Sequence, residues 1–134
     1  MKNAVLIIAA AIVAFGTGCK SYTEITEMTY RGPAVCQGEG GMLGNVSGMP
    51  IWTGGTPGRK YRVLCGIEFH WIEDGSKGAT QKYQDAVDEI VRIARSKGAH
   101  ALIVIGIDAK TIGHRQSVPV RSHRQYFQVV QYLE

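Results

Sequence analysis

An alternation of apolar and polar positions runs from Tyr61 to Trp71 and is the most regular pattern in this chain. The apolar positions share one parity and are Val63, Cys65, Ile67, Phe69 and Trp71. A period of two residues is typical of a strand that buries one face. Ile51 and Trp52 predict a shorter strand before it, because the glycines that follow them predict a turn back into the alternating segment.

The period changes to that of an amphipathic helix between Ala79 and Lys97. Apolar residues there recur at spacings of three and four positions, at Tyr83, Ala86, Val87, Ile90, Ile93 and Ala94. Gly98 predicts the end of the helix, since glycine readily adopts the left-handed conformation that closes many helices. The almost continuously apolar run Ala99–Ile107 then predicts a central strand covered on both faces.

Two further segments complete the predicted domain. Lys110–Arg124 is polar and basic and predicts a connection, whereas Gln125–Leu133 is β-branched and aromatic and predicts a last strand. From residue 50 onward we therefore expect an α+β domain of β-β-α-β-β order, a small mixed sheet with one main amphipathic helix packed on it. The segment Gly32–Gly58 holds nine glycines and three prolines and predicts an extended or looping tether.

The N-terminus carries the pattern of an export signal. Lys2 supplies a positive charge, Ala4–Phe15 is an uncharged apolar run, and small residues precede Cys19. The run is shorter than the roughly 20 apolar residues that a membrane-spanning helix needs. This arrangement resembles the signal peptide of bacterial lipoproteins.

The lipoprotein resemblance implies that residues 1–18 are removed and that Cys19 becomes an acylated N-terminus, carrying chains such as palmitate. Lys20 stands where an Asp would favour the inner membrane, so the resemblance implies an outer-membrane lipoprotein that faces the periplasm. The alternatives are the inner membrane and, after ordinary cleavage at the small residues before Cys19, a soluble periplasmic protein. Residues 19–49 are then the lipidated N-terminus and tether, and residues 50–134 the folded domain.

Cys36 and Cys65 are the two thiols that remain if Cys19 is acylated. An even pair of cysteines in an oxidising periplasm is a candidate disulfide. The alternative is that Cys65 is an apolar core thiol, because it shares a strand face with Ile67 and Phe69.

The second half of the chain resembles the small envelope domains of the RcsF and YbjQ-like families, over roughly residues 50–133. The resemblance rests on the strand step Leu64-Cys65-Gly66-Ile67 and on the helix exit Ala94–Ala99 before an apolar strand. It contains no catalytic motif. It implies an α+β fold and favours a role as a sensor, of envelope stress for example, or as an interaction module.

Patterns of catalysis and metal binding are scarce. The four histidines, His70, His100, His114 and His123, show no metal-ligand spacing among themselves or with a cysteine. Glu73 and Asp74 are adjacent, so on a turn they point in different directions and make a poor acid and base pair. We therefore expect a protein that is not an enzyme and has no cofactor and no metal. A mature net charge near +3 gives no indication of nucleic acid.

Basic side chains collect in a region that has no acid between Asp108 and Glu134. The positions expected to contact an anionic lipid, an anionic polymer or an acidic envelope protein are Lys110, His114, Arg115, Arg121, His123 and Arg124. The alternative is that they belong to an ordinary solvated loop. The sequence thus predicts a lipid-anchored sensor or interaction module, with a small-ligand or metal-binding periplasmic lipoprotein as the alternative function.

Overall fold

A computed structural model describes residues 7–13, 23–75 and 79–133, and for residues 7–13, 79 and 80 it describes the backbone alone. Seven strands and one helix follow one another along these residues. In chain order they are β1 (Ile7–Val13), β2 (Thr23–Met28), β3 (Gly40–Val46), β4 (Met49–Thr56), β5 (Tyr61–Glu73), α1 (Ala79–Ser96), β6 (Ala101–Arg115) and β7 (Val118–Tyr132).

All seven strands belong to one sheet, in the order β1-β2-β5-β7-β6-β4-β3. Every neighbouring pair is antiparallel except β4 and β6, which run parallel over a short contact. The protein is therefore mostly β, a curled mixed sheet with one helix, and the predicted α+β class with β-β-α-β-β order is wrong. Six of the strands, β2–β7, follow Cys19. The β-prone composition of residues 20–31 indicates a stub of strand where β2 lies, but the predicted order left this strand out and β3 was not predicted.

The predicted basic connection is in fact the arm of a long hairpin. β6 and β7 pair from Ala101↔Val130 to Arg115↔Val118, and the two-residue turn Gln116-Ser117 joins them. Both turn residues have positive φ, 51° and 71°, which matches the right-handed twist of the paired strands. The distal part of this hairpin, residues 108–121, is largely exposed. It therefore lacks the one-sided apolar alternation that identifies a strand in sequence.

The predicted tether is also structured in large part, since β3 and β4 form a second hairpin within it. Glycine is required there because the two backbones approach closely. A Cβ at Gly41 would lie 1.9 Å from the carbonyl oxygen of Gly54, and Gly55 has a φ of +111°. A strand built from glycine shows no side-chain periodicity, so the sequence pattern could not reveal it.

The helix agrees with its prediction and ends in a defined cap. Gly98 adopts φ +81° and donates its N–H to the Arg95 carbonyl at 3.0 Å, and the Ala99 N–H reaches the Ala94 carbonyl at 3.1 Å. These two bonds satisfy carbonyls that a helix end otherwise leaves free. None of the helices in the described part of the chain is long and apolar enough to cross a membrane.

The main core lies between α1 and one face of the sheet, which we call the helix face. Ile25, Ile67 and Phe69 from the sheet and Ile90 and Ala94 from the helix are almost completely buried there. A smaller apolar cluster, on the other face, contains Tyr61, Ala101, Ile103 and Val130, with Cys36, Trp52, Val63 and Tyr132 packed against it. An irregularity between Val63 and Cys65 in β5 explains why Val63 leaves the face that the alternation predicted for it.

Candidate functional site: an apolar groove between helix and sheet

An apolar groove lies on the helix face, between α1 and strands β4, β6 and β7. Its volume is about 240 Å³. Its lining residues are Val46, Ile51, Thr53, Tyr83, Val87, Ile90, Val91, Leu102, Val104, Ile107, Gln125 and Phe127. Ligand sites in proteins are commonly concave and apolar with a few polar groups, and this groove fits that description at the small end of the size range.

The lining contains no charged side chain, and its three polar residues are Thr53, Tyr83 and Gln125. Burial raises the pKa of the Tyr83 phenol above its usual value, so this hydroxyl stays protonated near neutral pH. Within the described part of the chain, the side chains of Thr53 and Gln125 have no hydrogen-bond partner. They are therefore available to a polar group at the groove.

The groove has a buried end and an exposed end. Ile51, Leu102 and Ile90 close the buried end and are 7%, 2% and 1% exposed. Along β6 the lining continues from Leu102 through Val104 to Ile107, which is 65% exposed. Thr53 and Ile107 are the exposed residues of the lining, and Ile107 therefore marks the mouth of the groove along β6.

A β-bulge decides which aliphatic side chains of β6 reach the groove. Val104 pairs with Phe127, and the next pairing is Gly106↔Tyr126, so Ile105 is the extra residue. Ile105 lines a different depression on the opposite face, beside Met28, Gly66 and Tyr126. Ile105 and Ile107 are both exposed, but only Ile107 belongs to the groove.

The turn between β3 and β4 is fastened to the helix beside the buried end. The Ser47 hydroxyl donates to Asp88 at 2.5 Å, and Arg95 Nη2 donates to the Ser47 carbonyl at 3.0 Å. Ser47 follows Val46 and Asp88 follows Val87, and both of these valines line the groove. We call this pair of hydrogen bonds the clamp, because it holds the β3–β4 hairpin over the groove.

Aromatic packing fixes the helix near the mouth. The Tyr83 ring lies 4.9 Å from the Trp71 ring and 5.6 Å from the Phe69 ring, between centroids. Trp71 also stacks on His123 at 4.4 Å, and His123 Nε2 lies 2.9 Å from a carboxylate oxygen of Glu73. These contacts give the groove wall at Tyr83 a set position.

A polar cluster lies on the opposite face of the sheet. His70 Nε2 is 2.8 Å from the Ser122 hydroxyl, and both residues are buried. Arg124 pairs with Glu68 beside them. Burial, helped by Arg124, lowers the pKa of His70, while Glu24 and Glu68 oppose this shift.

The serine and histidine of this cluster resemble part of a hydrolytic triad, but the third contact is too long. His70 Nδ1 lies 3.9 Å from the nearest Glu24 oxygen, beyond hydrogen-bond distance. A triad needs a carboxylate that orients the imidazole through this nitrogen. His70 on β5 thus brings together side chains of β2, β5 and β7.

The six predicted basic contact residues do not form one continuous surface. Three contact carboxylates of β5 or its following turn: Arg115 pairs with Asp74 at 3.1 Å, Arg124 pairs with Glu68, and His123 Nε2 lies 2.9 Å from a Glu73 oxygen. Lys110, His114 and Arg121 make no ion pair or side-chain hydrogen bond with other described residues. These three contacts could not be predicted from sequence, because their acids lie about 40 to 56 residues away in the chain.

The two predicted disulfide cysteines are free thiols on different faces of the sheet. Cys36 pairs through its backbone with Tyr61, and its sulfur lies 3.6 Å from the Tyr30 hydroxyl. Cys65 is 6% exposed in the main core, where burial raises its pKa to about 11. The geometry thus corrects the expected disulfide and agrees with the alternative of a core thiol for Cys65. Cys19 lies outside the described residues.

Among the described residues no group of three or more His, Cys, Asp or Glu side chains is placed to hold a metal ion. The groove itself was not predicted, because its lining comes from five elements, β3, β4, α1, β6 and β7, that sequence periodicity could not place beside one another. Comparisons with protein-family models, curated proteins and solved structures found no match.

Proposed function

We propose that this chain is a non-enzymatic, lipid-anchored protein of the bacterial envelope, at the outer membrane and facing the periplasm, that acts by binding. Its binding site is the groove between α1 and strands β4, β6 and β7, and it takes an apolar group. The groove's uncharged lining, open at Ile107, is the observation that carries this proposal. A charged group held there would lose its water without gaining a partner, whereas an apolar group gains from leaving water.

The position of the anchor suits this function. β2 begins at Thr23, four residues after Cys19. Four extended residues span at most about 14 Å, so an acylated Cys19 holds the sheet close to the membrane surface. A protein held there meets lipids and the apolar segments of other envelope proteins at high local concentration.

The predicted contact with an anionic partner is retained for Lys110, His114 and Arg121 alone. The carboxylates of β5 and its turn already pair with Arg115 and Arg124, and Glu73 contacts the His123 ring. The two cations Lys110 and Arg121 add a modest, salt-dependent attraction to an anionic surface, and His114 lies on the same hairpin. They therefore assist the approach to the membrane and do not define the bound ligand.

Photolabelling of the full chain in envelope vesicles tests the groove. A short neutral alkyl diazirine is the probe, and labelled peptides are identified by mass spectrometry. Trypsin releases Tyr83–Arg92, which carries the groove residues Tyr83, Val87, Ile90 and Val91. We expect this peptide to be labelled, and its labelling to fall several-fold in Ile107→Asp.

Ile105→Asp is the matched control, because it places the same charge two residues away on the other face. It should leave labelling of Tyr83–Arg92 unchanged. The groove assignment is wrong if wild-type protein leaves this peptide unlabelled, or if both substitutions reduce its labelling equally.

The anchor has its own test. Mass spectrometry of the mature protein should find acyl chains on Cys19 as the N-terminal residue, and Cys19→Ser should abolish incorporation of a palmitate analogue. An unmodified N-terminus in the wild-type protein would contradict the lipid anchor and leave the groove unaffected.

A further inference from the structure

We infer that the ligand of the groove is a single unbranched alkyl chain of about eight to ten carbons with an uncharged polar head, such as an alcohol, an ester or an amide. This inference rests on the proposed binding function and names its ligand class. It follows from the volume, the gradient of exposure and the position of the polar groups.

The volume sets the length of the chain. A cavity of 150 Å³ lined by aliphatic and aromatic side chains holds benzene, with its six carbons, and a water in the liquid occupies about 30 Å³. A methylene group is about as large as a water. The groove of about 240 Å³ therefore holds about eight to ten carbons.

The exposure gradient sets the direction of the chain. The terminal methyl group lies at the buried end, against Leu102 and Ile90, which are 2% and 1% exposed. The chain then runs along Val104 towards Ile107, where the groove opens. Only the part nearest the mouth can carry a group that keeps its water.

The polar groups set the chemistry of the head. Thr53, Tyr83 and Gln125 line the groove and offer hydroxyl and amide groups, which hydrogen-bond to an uncharged donor or acceptor. No cation or carboxylate lines the groove to pair with an ionised head. An alkyl carboxylate or alkylammonium would therefore have to keep its head in water and withdraw part of its chain.

The clamp sets the limit on length. The buried end is closed by Ile51, Leu102 and Ile90, and the clamp holds the β3–β4 hairpin, which carries Ile51, against the helix, so a longer chain meets these side chains. Loss of the clamp should lengthen the longest chain that is accepted. The exposed pair Glu89 and Arg92 lies on the same helix but lines no part of the groove, and it provides a matched control.

Competition against photolabelling of Tyr83–Arg92 tests this inference. The competitors are unbranched 1-alkanols from butanol to tetradecanol, with octanoate and octylammonium as charged counterparts of octanol, compared at their free aqueous concentrations. We expect potency to rise about fourfold for each added carbon, as burial of a methylene group predicts, and to level off or fall beyond about ten carbons. The charged counterparts should be at least about tenfold weaker than octanol.

We call the alkanol length at which potency stops rising the levelling point. The double substitution Ser47→Ala and Arg95→Ala should move it to longer alkanols, while Glu89→Gln should leave it unchanged. If potency keeps rising to tetradecanol in the wild type, or if octanoate or octylammonium competes as well as octanol, the ligand class is wrong while labelling of the groove still supports the proposed function. If Tyr83–Arg92 is never labelled, the proposed function fails as well. A levelling point that stays in place in the clamp variant would contradict the role of the hairpin.

Discussion

His70 on β5 and Ser122 on β7 face each other across neighbouring strands, with the imidazole Nε2 2.8 Å from the serine hydroxyl. The two side chains are 8% and 7% exposed. Arg124, Glu24 and Glu68 surround the imidazole, and burial is the largest cause that lowers the pKa of His70. The folded protein therefore holds this histidine neutral more firmly than the unfolded chain does.

This relationship predicts a loss of stability in acid. The unfolded chain takes up a proton near a pKa of about 6.5, whereas the folded state takes it up at a lower pH, so the unfolded state binds more protons in between. The contribution of neutral His70 to the free energy of unfolding is complete above about pH 6.5 and declines as the pH falls below that value. Urea titrations between pH 7.5 and 5 should show this decline, and His70→Gln should reduce its slope.

His114→Gln is the control for the acid titration, since His114 is exposed on the distal hairpin and has no ion pair with other described residues. It should leave the pH dependence of the wild type unchanged. An identical slope in wild type and His70→Gln would show that the buried histidine does not control the response.

The two described thiols should differ strongly in reactivity. Cys65 is buried and its pKa is raised to about 11, so little thiolate forms and reagents cannot reach it. We expect iodoacetamide at pH 8 to alkylate Cys36 in the native protein and Cys65 only after unfolding, with no reductant added. Peptide mass spectrometry distinguishes the two sites. If unfolding without reductant exposes neither thiol, the cysteines are bonded and the placement of Cys36 is wrong.

Arg115 and Arg121 lie on the same hairpin and should differ in their effect on stability. Arg115 donates to Asp74, whose side chain is fully buried, whereas Arg121 has no ion pair with a described residue. Arg115→Ala should lower the free energy of unfolding by about 1 to 3 kcal/mol, because it removes a donor from a buried carboxylate. Arg121→Ala should change it by less than about 0.5 kcal/mol.

Denaturant unfolding measures both changes, and a double-mutant cycle with Asp74→Asn isolates the contribution of the pair. Equal effects of the two arginine substitutions, or a cycle with no coupling, would contradict a stabilising role for the Arg115–Asp74 contact. Substitution of Arg115 or Arg124 therefore disturbs contacts within the fold as well as the surface charge of the hairpin.

Sequence periodicity predicted the elements that bury one regular face. The alternation in Tyr61–Trp71 became β5, and the three- and four-residue spacing after Ala79 became α1, including the cap at Gly98. Both patterns reflect a single side that packs into the core, which is the feature that hydrophobic periodicity records.

Elements without a regular buried face were not predictable in this way. β3 is held by backbone contacts at Gly41 and Gly54, and the end of the β6–β7 hairpin is largely exposed on both strands. The bulge at Ile105 reverses which alternate side chains of β6 point towards the helix, and it lies in the middle of an aliphatic run. The run therefore did not show which side chains contact the helix. The groove depends on this switch, and on contacts between segments far apart in the chain.

Strand β1 lies within the predicted signal peptide and covers one border of the sheet. Ile7–Val13 pairs along the whole of β2, from Ile7↔Met28 to Val13↔Thr23. Removal of residues 1–18 would turn β2 from an inner strand into an edge, with free backbone donors and acceptors. Glu24 and Glu27 lie on that edge, and charged side chains on an edge strand discourage pairing with other chains. Removal of these residues would thus replace an edge of the sheet that β1 covers by an exposed edge at β2, and charged side chains alone would protect that edge against aggregation.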